Sequence, residues 1–181
     1  MAPEIWAAMI GLGVGAPAVW LYNRLVADRN LVRQGYADID VQLKRRADLV
    51  PNLVEAVRAY AAHEKALLTS VAELRAAAIA APKLTERFMH ERLLGERLQN
   101  LVLLQENYPA LKADANFRDL SAKLVEVEDS LQYARRFYNG AVQQYVTRIE
   151  SFPDVIMAKA FRFQPMPFFE TADREPVKVA L

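Results

Sequence analysis

Apolar residues recur at steps of three or four positions between residues 36 and 61, which is the spacing of a helix that buries one face. The series, called here the apolar seam, consists of Tyr36, Ile39, Leu43, Ala47, Val50, Val54, Val57 and Ala61. Polar residues at four-residue steps fall on another side and form a polar stripe of Asp40, Lys44, Asp48 and Asn52. The two patterns together predict an amphipathic helix of a bundle or coiled coil.

Helical spacing continues on both sides of the seam and predicts an all-α fold. Residues 23–80 contain no convincing loop, and the seam keeps its phase across Pro51. We therefore favour one long helix that is kinked at Pro51, with a second helix beginning there as the alternative. A further helix is predicted from Leu84 to about Asn107, and a third long helix runs from beyond Asp114 to Phe152–Pro153. A short helix over residues 154–160 and an extended tail complete an antiparallel, coiled-coil-like bundle of three or four helices.

The segment before the bundle, Ile5–Tyr22, is uncharged and predicts a transmembrane helix that continues into the bundle. As a helix it would be about 27 Å long, close to the thickness of the hydrocarbon core. Trp6 near one end, with Trp20 and Tyr22 near the other, match the aromatic belts of membrane spans. Gly11 and Gly15 form a small-residue pair that lets helices approach closely in lipid. A cleaved signal peptide, with Ala16-Pro17-Ala18 as its cleavage site, is the alternative.

The charges beside this segment predict its orientation. No Lys or Arg precedes it, whereas Arg24, Arg29, Arg33 and the Lys44-Arg45-Arg46 cluster follow it. The positive-inside rule then places the bundle in the cytoplasm and the N-terminus outside. We accordingly expect residues 1–23 to be an anchor, residues 24–160 the bundle and residues 161–181 the tail, with the lipid bilayer as one partner.

Composition and motifs argue against chemistry on a substrate. The 23 basic and 22 acidic residues give a net charge of +1, so binding to nucleic acid is not expected. Cysteine is absent, and neither His63 nor His90 belongs to a Glu-x-x-His or HExxH motif, so we expect no metal and no cofactor. Paired carboxylates such as Glu126 and Glu128 are interpreted as solvated residues of an exposed helix face. The chain is predicted not to be an enzyme.

Two sets of residues are candidates for protein contacts. The polar stripe either pairs internally at four-residue steps or forms a docking face, and Arg46 and Asp40 border the apolar seam, where charges set register and partner choice. The tail contains Phe161, Phe163, Met166, Phe168 and Phe169 within nine residues. These aromatic side chains must cover something, and the alternatives are the chain's own bundle, a neighbouring subunit or lipid.

Several of these stretches resemble the LemA family. The matching residues are Tyr22-Asn23-x-Leu25-Val26-x-x-Arg29-Asn30, the run Asp38–Val54, Tyr60-Ala61-x-His63-Glu64, Ala134-Arg135-Arg136-x-Tyr138-Asn139, Phe152-Pro153 and Phe168-Phe169-Glu170. The resemblance implies a membrane-anchored helical bundle of a bacterial envelope without established enzymatic activity, and some relatives are tied to the building of intracellular membrane compartments. Val146 stands where the family usually has Asn, and Arg162 where it usually has Gly.

The lengths of the predicted helices suggest self-association. A helix over residues 23–80 would be about 85 Å long, whereas the helix that returns from it would cover only about 35 Å. The part of the seam from Tyr36 to Val50 would then lack a partner in its own chain, and such a surface should bind another chain. We therefore expect a scaffold of the bacterial inner membrane that self-associates and organises membrane or envelope proteins. An adaptor or regulator of another envelope protein, such as a protease or signalling system, is the alternative.

Overall fold

The computed structural model describes the backbone of residues 3–169 and the side chains of residues 15–169, and within these ranges it contains helices and turns but no strand. The helices are α1 (Pro3–Tyr60), α2 (Lys65–Ala80), α3 (Leu84–Leu103), α4 (Pro109–Ala113), α5 (Ala115–Glu150) and α6 (Asp154–Ala160), with a short 3-10 turn at Leu104–Glu106. The prediction of an all-α fold with long helices is confirmed. Within the described part of the chain, no helix has a stretch both long and apolar enough to cross a membrane.

Helix α1 continues through Pro51, as predicted, and no second helix begins there. Proline lacks the amide hydrogen that would bond the carbonyl oxygen four residues earlier, which here belongs to Ala47. The Nε–H of Arg75 on α2 donates to that oxygen at 2.7 Å. A side chain from a neighbouring helix thus replaces the backbone hydrogen bond that Pro51 cannot make.

The first long helix ends earlier than the sequence pattern predicts. It stops at Tyr60, and α2 begins only at Lys65, so the expectation of one helix up to Ala80 is wrong. The connecting turn is closed by a hydrogen bond from the Glu64 amide to the Ala61 carbonyl. Its outer side is held by the hydroxyl groups of Tyr60 and Tyr108, which donate to Asp114 and Glu64 respectively. The reversal lets α2 return along α1 and shortens the helix on which the length argument rested.

The described residues fall into two compact units. One unit contains residues 38–135 together with residue 169. In it Asp40 of α1 pairs with Arg87 of α3, and Arg46 of α1 pairs with Glu91 of α3. Because both pairs follow the same order along the chain, these two helices run parallel. The contacts of Arg46 with Glu128 and of Tyr60 with Asp114 show that α5 runs antiparallel to α1. With α2 returning between α1 and α3, the unit is an up-down-up-down bundle of four helices.

The core of this bundle is formed by one apolar face of each helix. Its members include Val50, Leu53, Val57, Leu68, Val71, Leu94, Leu98, Leu101, Phe117 and Leu124. Ile39, Leu43 and Val50 of the apolar seam are almost completely buried within this single chain. The premise that the seam between Tyr36 and Val50 lacks an intramolecular partner is therefore wrong, because residues of the same chain already cover Ile39, Leu43 and Val50.

The other unit contains residues 3–37 and 136–168. Leu25 and Val32 of α1 and Tyr138, Val142 and Tyr145 of α5 are buried in it. Asp28 of α1 lies against Gln144 and Arg148 of α5, whereas Tyr36 lies against Tyr138, so the two helices are antiparallel here as well. The Arg148 guanidinium and the Gln144 amide both donate to the Asp28 carboxylate, which is buried. This carboxylate is thus hydrogen-bonded on both of its oxygens.

Candidate functional site

The most unusual feature of the four-helix unit is a charged side chain in the middle of its core. Arg46 is completely buried, and its Nη1 donates to Glu128 at 2.7 Å. Its Nη2 donates both to the carboxylate and to the backbone carbonyl of Glu91, the latter at 2.8 Å. Glu91 is also buried, whereas Glu128 is partly exposed. This ion cluster joins α1, α3 and α5 through one guanidinium group.

The cluster holds its charges by mutual neutralisation. Burial alone would lower the pKa of the Arg46 guanidinium, but the carboxylates of Glu128 and Glu91 together outweigh it and keep that pKa above its usual value. Arg135 lies nearby on α5, where burial, followed by the positive charge of Arg46, lowers its pKa to about 10. Gly95 of α3 passes close to the guanidinium, since a Cβ atom there would lie 3.2 Å from Nη1 of Arg46. Both Nη atoms of Arg46 thus donate to acceptors on neighbouring helices, an arrangement that fixes these helices to one another.

A groove of about 470 Å³ between α3 and α5 lies beside the ion cluster. Its polar end contains Arg92, Glu128 and Arg135, and its apolar end contains Leu98, Val102, Leu103, Leu124 and Val125. Among the residues whose side chains the structure describes, no group of three or more His, Asp or Glu side chains could hold a metal ion. The groove thus combines an apolar and a charged surface.

The position of Arg46 in the sequence is itself a core position. Strict alternation of four- and three-residue steps from Ile39 leads through Leu43 to Arg46, Val50 and Leu53, and all of these are buried. The apolar seam contains the neighbouring residues Ala47 and Val54, of which Val54 is buried as well and Ala47 is half-buried. Glu91 likewise occupies a core position three residues after Phe88 and three before Leu94. The interpretation of Glu128 as a solvated residue misses its ion pair with Arg46.

The candidate docking residues lie in different surroundings. Tyr36 is half-buried, and Ile39, Leu43 and Arg46 are buried, so these four face the interior. In the polar stripe, the Asp40 carboxylate accepts from Nη2 of Arg87 at 2.6 Å, across to α3 rather than along α1. Lys44, Asp48 and Asn52 are exposed. The exposed part of the stripe is therefore the part that remains accessible to a partner.

The residues of the predicted span are described only in part. The side chains of Ile5, Trp6 and Gly11 lie outside the described residues. Gly15 and Trp20 are exposed, and Tyr22 is half-buried. A Cβ atom at Gly15 would meet nothing within 4 Å. The guanidinium of Arg24 lies 5.1 Å from the centre of the Trp20 ring.

The described part of the aromatic tail, residues 161–169, packs on its own chain. In the unit of residues 3–37 and 136–168, the rings of Phe161 and Phe163 lie 4.8 and 5.9 Å from that of Tyr22. Phe163 is buried, and the guanidinium of Arg29 lies 4.8 Å from its ring centre. Phe161 is exposed and Phe168 is half-buried. Of the three alternatives for the tail, these contacts favour the bundle of the same chain.

Hydroxyl groups of two buried tyrosines hold the irregular part of the tail. Tyr138 donates to the carbonyl oxygen of Pro167 at 2.7 Å, and Tyr145 donates to that of Gln164 at 3.0 Å. Burial raises the pKa of Tyr138 to about 12, and it raises the pKa of Tyr145 as well. Both groups therefore remain protonated donors throughout the neutral range.

In the four-helix unit, the last described residue of the tail closes one side of the bundle. Phe169 is buried, and its ring centre lies 4.1 Å from that of Phe88 on α3. The guanidinium of Arg135, which belongs to α5, lies 4.4 Å from the centre of the Phe169 ring. This stacking gives a partly desolvated cation a favourable aromatic neighbour.

Arg162 occupies a backbone position that favours glycine. Its φ is 54°, in the left-handed region. The Phe163 amide donates to the Ala158 carbonyl and the Arg162 amide to the Lys159 carbonyl, which is the hydrogen-bond pattern of a Schellman motif at the end of α6. The residue at the left-handed position of this motif is most often glycine, and this explains why the LemA pattern has Gly where this chain has Arg162.

Replacing Arg162 by glycine should stabilise the protein by about 1 kcal/mol. A side chain in the left-handed region costs roughly 1–2 kcal/mol, and part of this gain is offset because glycine loses more backbone entropy on folding. The midpoint of urea unfolding measures the change. Arg162→Ala is the matched control, since it removes the side chain but keeps the Cβ atom, and it should give no comparable gain. Equal gains from both variants would contradict the backbone explanation.

Comparison with known proteins gives two findings. The model of the LemA family matches residues 35–181. Two proteins of Paramagnetospirillum magneticum, described as magnetosome proteins MamQ 1 and MamQ 2, are each 23% identical over 175 aligned residues. The alignments cover 82% of this chain and 64% of each relative, so the chain spans somewhat less than two thirds of the length of these curated relatives.

Proposed function

Because this chain belongs to the LemA family, we propose that it is a membrane-anchored helical scaffold that holds membrane or envelope proteins together without catalysing a reaction. The observation that carries the proposal is that the bundle's conspicuous charges, those of Arg46, Glu91 and Asp28, are hydrogen-bonded inside the protein. They fix helices to one another and are not presented to a substrate. The name of the magnetosome relatives is consistent with a component of a membrane compartment, which is the role we carry over to this chain.

The proposed anchor is the uncharged segment of residues 5–22, with the bundle on the cytoplasmic side of the bacterial inner membrane. Support comes from the aromatic residues near its ends and from the basic residues that follow it. Self-association is proposed to occur through Gly11 and Gly15 of this segment rather than through the apolar seam, which is buried. Small residues four positions apart let two helices pack closely in lipid.

The mass of the purified protein in mild detergent tests this proposal. The full-length chain should form assemblies of defined size, and a Gly11→Ile/Gly15→Ile variant should be monomeric because its helices cannot approach closely. Gly13→Ile is the matched control, because a residue two positions from both glycines falls on another side of a helix, and it should leave the assembly intact. A monomeric wild-type chain would contradict the self-associating scaffold. Extraction of the wild-type chain from bacterial membranes by alkaline carbonate would contradict the anchor itself.

A second candidate function is that of an adaptor for a different envelope protein. The exposure of Lys44, Asp48 and Asn52 favours it, because this part of the polar stripe is available for a partner. Lys44→Glu/Asp48→Lys should then abolish co-purification of the partner while leaving the detergent mass unchanged. If both the mass and the co-purified proteins stay the same, the stripe is only a solvated face.

A further inference from the structure

One end of the unit formed by residues 3–37 and 136–168 exposes large apolar side chains close together in the sequence. Phe152 is 81% exposed, Ile156 58% and Phe161 56%. Phe152 and Ile156 are four positions apart in the turn and helix that follow α5, while Asp154 and Ala158 face inward. Isolated exposed apolar residues are common, but a group on one short segment marks a surface that contacts something apolar.

This surface lies beside the first turns of α1 that follow the proposed anchor. The Phe161 ring packs 4.8 Å from the ring of Tyr22, the last residue of the uncharged segment. The C-terminal end of α5 is fixed to the same part of α1, because Arg148 donates to Asp28, which lies about two turns after Tyr22. Trp20, one turn before Arg24, is 59% exposed. If residues 5–22 span the bilayer, α6 lies where the membrane meets water.

The charges around the apolar residues have the sign expected for this position. Lys159 and Arg162 are exposed on α6 and just after it, and the Arg24 guanidinium stacks on Trp20. Of the acidic side chains that the structure describes in this unit near α6, Asp154 is buried and Asp28 is bound to Arg148, which leaves the exposed Glu150. Apolar side chains flanked by Lys and Arg are typical of segments that lie in the head-group region of anionic membranes.

We propose that the α6 surface, formed by Phe152, Ile156, Lys159, Phe161 and Arg162, lies in the head-group region of an anionic bilayer. It would hold this end of the unit of residues 3–37 and 136–168 against the membrane. The proposal rests on the anchoring proposed above and adds a second point of membrane contact. A second copy of the chain is a less suitable occupant. A symmetric contact through the same face would bring Lys159 and Arg162 toward their own counterparts.

Single cysteines report on this contact directly, because the natural chain contains none. Full-length Phe152→Cys, Ile156→Cys, Trp20→Cys and Ile79→Cys proteins are labelled with the environment-sensitive fluorophore NBD. They are then inserted into vesicles of equal parts phosphatidylcholine and phosphatidylglycerol. Phe152, Ile156 and Ile79 are all exposed, so these labels should leave the fold intact. Ile79 on α2 is the apolar control, and Trp20 reports on the anchor.

We expect labels at positions 152 and 156 to emit at shorter wavelength than the label at 79. They should also be quenched several-fold less by aqueous iodide and several-fold more by lipids with a spin label near the head group. In vesicles of phosphatidylcholine alone this protection should decrease. Iodide quenching at 152 and 156 equal to that at 79, with position 20 protected, would overturn the inference while leaving the anchor in place.

Two further results would also overturn the inference. If position 20 is as accessible to iodide as position 79, the chain is not anchored as proposed, and the α6 surface loses the basis for its position. If protection at 152 and 156 disappears when the protein is diluted with excess lipid, a neighbouring copy covers the surface instead of lipid. Circular dichroism of each labelled protein confirms that the helices are retained.

Discussion

Replacement of Arg46 by methionine is expected to lower the free energy of unfolding by about 3–5 kcal/mol, the usual effect of removing one partner of a buried ion pair. The side chains of Arg46 and Glu91 are 0% and 4% exposed, so the Glu91 carboxylate would be left in the core without its counter-ion. Glu128 would lose the same partner but can reorient toward water because its side chain is partly exposed. The larger part of the effect should therefore come from Glu91.

Urea or thermal unfolding measures this change, and the melting temperature should fall by roughly 10 °C for a chain of this size. Arg45→Met is the matched control, because Arg45 is the adjacent residue on α1 and is exposed. It should change stability by less than about 0.5 kcal/mol. The double variant Arg46→Met/Glu91→Leu should recover most of the loss, since apolar residues of similar volume replace buried ion pairs well. An Arg46→Met protein as stable as the control would contradict the role of the ion cluster.

The second large effect is expected at Pro51, where substitution by alanine should stabilise the protein by about 2 kcal/mol. A proline inside a helix costs about 3 kcal/mol relative to alanine, and loss of its restraint on the unfolded chain reduces the expected gain by about 0.4–1 kcal/mol. Alanine restores the amide hydrogen that bonds the Ala47 carbonyl. The hydrogen bond from Arg75 to that carbonyl then becomes redundant.

A double-mutant cycle tests this explanation. Arg75→Ala should destabilise the natural chain by about 1–2 kcal/mol, because the Ala47 carbonyl loses its donor, and by clearly less in the Pro51→Ala background. Arg97→Ala, at an exposed position of α3, is the control and should have the same small effect in both backgrounds. Additive effects of Pro51→Ala and Arg75→Ala would show that Arg75 does not compensate for the proline.

The sequence predicted the helical class, the continuation of α1 through Pro51 and most of the buried apolar positions of the seam, because these depend on local periodicity. It did not predict the end of α1 at Tyr60, since the turn Ala61-Ala62-His63-Glu64 contains no glycine, proline or asparagine. That turn is fixed by tyrosine hydroxyls whose acceptors lie 44 and 54 residues away in the sequence. Local patterns carry no information about such contacts.

The buried charges were missed for a related physical reason. Asp28 and Arg46 occupy core positions of α1, but a charged residue is assigned to the core only when its partner is known. Their partners Arg148, Glu91 and Glu128 lie 120, 45 and 82 residues away. The departure from the LemA pattern at Arg162 was visible in the sequence, yet only the backbone of the α6 end explains it. Residue-by-residue comparison can locate such a position but cannot supply its cause.

The alternating prolines of the tail have a consequence for how this chain meets other copies of itself. Pro165 and Pro167 cannot donate backbone hydrogen bonds, and being two residues apart they would fall on the same edge of a β-strand. The carbonyl oxygens of Gln164 and Pro167 already accept from Tyr145 and Tyr138. A phenylalanine-rich segment would otherwise be a template for strand pairing between molecules. Here one edge of such a strand would lack two amide donors, and two carbonyl oxygens of the segment are already occupied. Residues 161–169 are therefore a poorer template for strand pairing than their aromatic content alone would suggest.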